Sequence, residues 1–128
     1  MTDRHRLLLL FATAACLTGL LLHPSVPAVY KAVRGSLPLM PARDFGYPAH
    51  VAAYLVFGAL AARLTRVQTS RGAWLLIGGL ALHGVTSETL QLGVAGRTFD
   101  PGDMACNLLS AAAGVRLATR TAEPAAAV

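Results

Sequence analysis

The sequence predicts an all-α protein, an integral membrane bundle of four transmembrane helices with both termini on the cytoplasmic side. Three observations predict it. Hydrophobic residues fill 55% of the 128 positions and charged residues only 13%, where a soluble domain carries about 25% charged residues. Mean hydropathy is +0.55. The charges are also segregated: no Asp, Glu, Lys or Arg lies between Leu7 and Tyr30, nor within Phe45–Ala62, Gly72–Ser87 or Met104–Val115. A soluble bundle of buried helices is the competing reading. It fits poorly, because Leu7–Leu22 is apolar on every side and not along one stripe.

The first helix is expected at 7–23, since a span needs about 20 apolar residues and Pro24 and Pro27 close the run. A signal peptide is the alternative, with MTDRHR as its basic start, LLLLFATAACLTGLLL as its apolar region and Val26-Pro27-Ala28 as its cleavage site. A retained anchor fits better: the apolar run is long, Pro27 sits next to the scissile bond, and later segments hold the chain in the membrane anyway. The proline-rich loop that follows reads as an outer-surface segment, with Tyr30, Phe45 and Tyr47 in an interfacial aromatic belt. The second helix is expected at 47–63. The third, 73–95, reaches spanning length only with Glu88 and Gln91 inside the bilayer. The fourth, 103–120, reaches it only if Arg116 and Arg120 snorkel to the lipid surface. Residues 1–120 then form one transmembrane domain, and TAEPAAAV at 121–128 reads as a disordered tail.

Cationic residues orient the bundle. Arg4, Arg6, Arg63, Arg66, Arg71, Arg116 and Arg120 on one side outnumber Lys31, Arg34, Arg43 and Arg97 on the other, which places both termini inside. The net charge of +5 favours anionic lipid. It does not point to nucleic acid, since no basic stripe is interleaved with aromatics. Cys16 and Cys106 fall in apolar segments and read as small packing residues, not as a disulfide or metal pair. Gly58 with Ala62, Ser110 with Gly114, and the pair Gly78-Gly79 supply small faces for close helix approach.

The polar residues inside these apolar segments form a pattern. His50 and Tyr54 share a face of the second helix, Glu88 and Gln91 a face of the third, and Asp103 and Asn107 a face of the fourth. Glu88 lies about 22 Å along its helix, at about 1.5 Å per residue. Three helices joined in hairpins therefore bring these groups to one depth, near the outer surface. Ionisable groups there are costly and must face the interior and find partners. A carboxylate at Glu88 is either neutral or paired. Simpler roles exist for each residue. Asp100-Pro101-Gly102-Asp103 is a good helix start, with Asp100 as cap and Asp103 beside the helix dipole. Arg97 reads as an ion-pair partner of Asp100 or Glu88, and Asn107 as glue between helices. His50 reads as bonded to Tyr54 or to a carboxylate. His83, turned away from Glu88 on the helical wheel, reads as a packed, satisfied histidine. His5 and His23 read as solvated.

The run Glu88-x2-Gln91-x5-Arg97-x2-Asp100-x2-Asp103-x3-Asn107, with His50-x3-Tyr54 upstream, resembles the signature of the VanZ-like family. The resemblance spans roughly residues 44–115, preceded by an apolar helix without a motif. Three positions depart from the family pattern. Gly46 and Tyr47 stand where the family usually has an acid and a lysine, and Ser110 stands where it usually has glycine. The resemblance implies a small multi-pass protein of the bacterial cytoplasmic membrane, from a family named for lowered susceptibility to the glycopeptide teicoplanin. It implies a phenotype and not a reaction.

Three expectations follow. The first is a non-catalytic envelope factor. Its polar cluster of His50, Tyr54, Glu88, Gln91, Arg97, Asp100, Asp103 and Asn107 would bind the headgroup of a membrane lipid, a lipid-linked precursor or an amphiphilic glycopeptide, with Arg97 on phosphate or carboxylate. The second is an intramembrane enzyme acting on such a lipid, with Glu88 or Asp103 as base, His50 as acid or base and Arg97 as charge stabiliser. The third is a purely structural polar cluster. No cofactor is expected. A divalent metal on Glu88, Asp100, Asp103 and His50 is chemically conceivable, but no ligand motif of known spacing supports it.

Overall fold

In a computed structural model, the described residues are 2–23, 46–94 and 98–120; they form four α-helices and no strand. Helix α1 (Asp3–Leu22) starts earlier than expected because Thr2 caps it: Thr2 Oγ1 accepts from the His5 amide at 3.4 Å, and Asp3 sits in the first turn. Helix α2 (Gly46–Thr65) ends with Arg66 at φ 51°. The Arg66 and Val67 amides turn back onto the Arg63 and Ala62 carbonyls, the left-handed closure that usually selects glycine. Helix α3 (Ser70–Gln91) is capped by Thr69, which accepts from the Gly72 amide at 3.1 Å. It stops at Gln91 and not at 95, since Leu92, Gly93 and Val94 donate back over three residues to Thr89, Leu90 and Gln91. Helix α4 (Pro101–Arg120) begins at the expected proline.

Helices α2 and α4 form the most extensive interface; α3 packs mainly on α4, and α1 on α2 and α3. Small residues set the α2–α4 approach. A Cβ on Gly58 would run into the Ala111 carbonyl oxygen, and one on Gly114 into the Leu55 carbonyl oxygen, 2.8 Å from the Ala59 nitrogen. The expected faces of Gly58 with Ala62 and Ser110 with Gly114 are buried there. Gly78 and Gly79 are not: both are exposed, with nothing within 4 Å of an added Cβ. Cys16 also departs from expectation, since it faces outward on α1 and packs no interior.

The distribution of polarity is inverted relative to a water-soluble bundle. Leu8, Phe11, Leu20, Val56, Trp74, Leu75, Leu82 and Leu109 point outward, while His50, Ser87, Glu88, Gln91, Asn107 and Ser110 are buried with Tyr54, Phe57, Ala61 and Val115. The hydroxyls of Thr13, Thr65, Thr86, Thr89 and Thr119 each donate to the carbonyl four residues earlier on their own helix, which satisfies them without water. Asp3–Leu22 and Tyr47–Thr65 are long and apolar enough to cross a membrane. The readings made for Tyr30, Phe45, Arg97 and the 121–128 tail lie outside the described residues.

Candidate functional site

Helical periodicity builds the site from three stripes. On α2, His50 and Tyr54 fall one turn apart and continue into Phe57, Gly58, Ala61 and Ala62, all buried. On α3 the buried stripe is Gly84, Ser87, Glu88 and Gln91; on α4 it is Asn107, Ser110, Ala111, Gly114 and Val115, with Asp103 one turn before. Because α3 and α4 run antiparallel, the end of one stripe meets the start of the other.

His50 is the centre. Its ring is 1% exposed, and Nδ1 lies 2.8 Å from Asn107 Oδ1. A carbonyl-type oxygen only accepts, so Nδ1 carries the proton and donates. Glu88 Oε1 lies 3.9 Å from the same nitrogen, and Asp103 Oδ2 faces Nε2 at 3.6 Å. Gln91 Nε2 donates to Glu88 Oε1 at 3.2 Å. Two carboxylates thus flank one imidazole inside the bundle, with the Glu88 and Asp103 side chains 0% and 15% exposed. Asn107 Nδ2 is buried, makes no hydrogen bond among the described residues, and lies beside Gly84.

Two expected members are placed differently. Asp100 is spent on local structure: Oδ1 accepts from the Gly102 amide at 2.7 Å and Oδ2 from the Tyr47 hydroxyl at 3.4 Å. Tyr47 therefore reaches α4 instead of standing only as an aromatic anchor, and it packs so closely over Gly102 that a Cβ there would come within 2.6 Å of the Tyr47 oxygen and displace the ring. Tyr54 is fully buried, but its hydroxyl turns toward His83 Nδ1 at 3.1 Å. His83 is satisfied as expected, yet by partners that the sequence did not name. Nε2 lies 3.0 Å from Thr18 Oγ1 and 3.4 Å from the Ala14 carbonyl, and the ring packs against Tyr54 and Phe57 at centroid distances of 5.9 and 5.3 Å. The apolar first helix is thereby tied into the polar interior. Ser87 and Ser110 join the buried polar residues; their spacing of four and three residues from Gln91 and Asn107 is the signal in the sequence for it.

Openings among the described residues include two along α3 and α4. A crevice of about 280 Å³ between α3 and α4 is lined by Ala81, Gly84, Val85, Met104, Leu108 and Asn107. A larger cleft of about 560 Å³, lined by Thr69, Trp74, Arg116 and Arg120, lies at the opposite end of these helices, away from the carboxylates. The crevice is the one that meets the site chemistry. Comparison with protein-family models, with curated proteins and with solved structures finds no match to this chain.

Proposed function

We propose that the chain is a VanZ-like, multi-pass protein of the bacterial cytoplasmic membrane, with four spans and both termini inside. In this reading its interior polar site takes the headgroup of a membrane lipid or of an amphiphilic glycopeptide. The observation that carries the reading is the inversion described above: His50, Glu88, Gln91 and Asn107 are buried inside a bundle that exposes many leucines and valines together with Phe11, Trp74 and Phe99. Buried polarity inside an apolar exterior is expected when hydrocarbon, not water, surrounds the helices, and ionisable groups there mark sites of function. The apolar crevice supports an amphiphile as ligand, because it joins an apolar wall to Asn107, whose buried Nδ2 makes no hydrogen bond among the described residues.

The family resemblance also supports this reading, since four of its six motif positions, Glu88, Gln91, Asp103 and Asn107, converge with His50. Where that family usually has lysine, Tyr47 donates to Asp100. The test is teicoplanin tolerance conferred on a susceptible bacterial host. Wild type raises tolerance and E88Q abolishes it at equal membrane abundance; equal tolerance for both sinks the proposal.

A second reading, an intramembrane lipid-processing enzyme, draws on His50 Nε2 facing Asp103 Oδ2, the disposition of an acid and a base. Turnover of radiolabelled envelope lipids by the pure protein, lost in E88Q, would establish it. No turnover with retained lipid binding leaves the binding reading.

A further inference from the structure

We propose that His50, Glu88 and Asp103 form a binding site for a divalent cation of the zinc or manganese type. Each comes from a different helix, α2, α3 and α4, and one ligand-type atom from each lies within 4.8 Å of the others. Metal–ligand bonds of about 2.0–2.2 Å place two donors on a tetrahedral ion about 3.3–3.6 Å apart. His50 Nε2 and Asp103 Oδ2 stand at that spacing, 3.6 Å, and a side-chain shift of about 1 Å brings Glu88 onto the same ion.

The histidine is set for this role. Nε2 makes no hydrogen bond among the described residues, and its lone pair faces Asp103 Oδ2 at 3.6 Å. That separation is too long for a hydrogen bond and suits two ligands of one ion. Nδ1 donates to Asn107 Oδ1 at 2.8 Å, the arrangement by which metal-binding imidazoles are held in one tautomer and orientation. Gln91 holds Glu88 Oε1 in the same way at 3.2 Å. One imidazole and two carboxylates make a borderline-hard donor set, which suits zinc or manganese over soft copper(I). Asp100 does not belong to the set, because its two oxygens serve the Gly102 amide and the Tyr47 hydroxyl.

Three protein ligands leave coordination positions open. A phosphate or carboxylate headgroup is the natural occupant. The proposal deepens the headgroup reading of the same site and rests on that reading only for what fills those positions.

The full chain, purified in detergent and stripped with chelator, is titrated with zinc and manganese alone, and bound metal is counted by mass spectrometry. Wild type binds one ion per chain. H50Q, E88Q and D103N each lose affinity by at least ~10-fold, N107A loses ~10–100-fold through the freed imidazole, and D100N binds as wild type. Cobalt loading gives a second readout, visible d–d bands that change in H50Q; circular dichroism and gel filtration certify that each variant is folded. Wild type without bound ion, or unchanged affinity in the three ligand variants, overturns the proposal. Retention of phospholipid by a chain that binds no ion overturns the metal and spares the headgroup reading. Ion binding without lipid or drug retention supports the metal and removes that reading.

Discussion

His50 and Asn107, 57 residues apart in sequence, are joined in the bundle interior by a 2.8 Å bond from Nδ1 to Oδ1. The bond locks α2 to α4 and orients the imidazole between Glu88 and Asp103. Removing the acceptor leaves a buried donor unsatisfied, which costs about 1–3 kcal/mol. N107A is expected to lower unfolding stability in detergent by that amount. An unchanged melting temperature would show that the bond contributes nothing net.

The α2–α4 contact makes a sharper demand. An added methyl at Gly114 meets backbone atoms of Leu55 and Ala59, which cannot rotate away. G114A is expected to destabilise by about 1–3 kcal/mol, the usual cost of overfilling a packed interface. G78A and G79A meet open space and are expected to be neutral or to gain up to about 1 kcal/mol from helix propensity. Thermal unfolding of the three variants side by side checks the ordering. A G114A variant as stable as G78A would mean that the helices do not approach as described.

Trp74 is the single tryptophan, 63% exposed on α3, with the Arg116 guanidinium carbon 6.0 Å from its ring centroid. If the exposed apolar surface faces lipid, its fluorescence is quenched when the protein is reconstituted with phospholipids brominated near the headgroup. Emission unchanged by bromine would place Trp74 away from acyl chains and count against a membrane-embedded α3.

Much of the fold is legible in the sequence because its signals are local. Charge-free runs mark the four helices, and the Asp100-Pro101 start of α4 follows from capping chemistry. The site is legible as far as helical periodicity carries: spacings of three and four put His50, Glu88, Asp103 and Asn107 on facing stripes. What periodicity does not carry is which oxygen goes where. In sequence Asp100 reads both as a cap and as a cluster member, and only the bonds from the Gly102 amide and the Tyr47 hydroxyl assign both of its oxygens to the start of α4. The tie between Thr18 and His83 spans 65 residues, and nothing in the uniformly apolar α1 announces it. Helix ends shift because Thr2 and Thr69 cap outside the apolar runs, where hydropathy is silent.

The central claim is that the buried cluster is a working site and not only an internal brace. E88Q tests it most directly, because glutamine keeps the shape and removes the ionisable carboxyl of a 0% exposed side chain. Melting temperature and teicoplanin tolerance are measured on the same variant at matched membrane abundance. The account predicts near-wild-type melting with tolerance lost. Tolerance retained, or lost only in proportion to a fallen melting temperature, would contradict it.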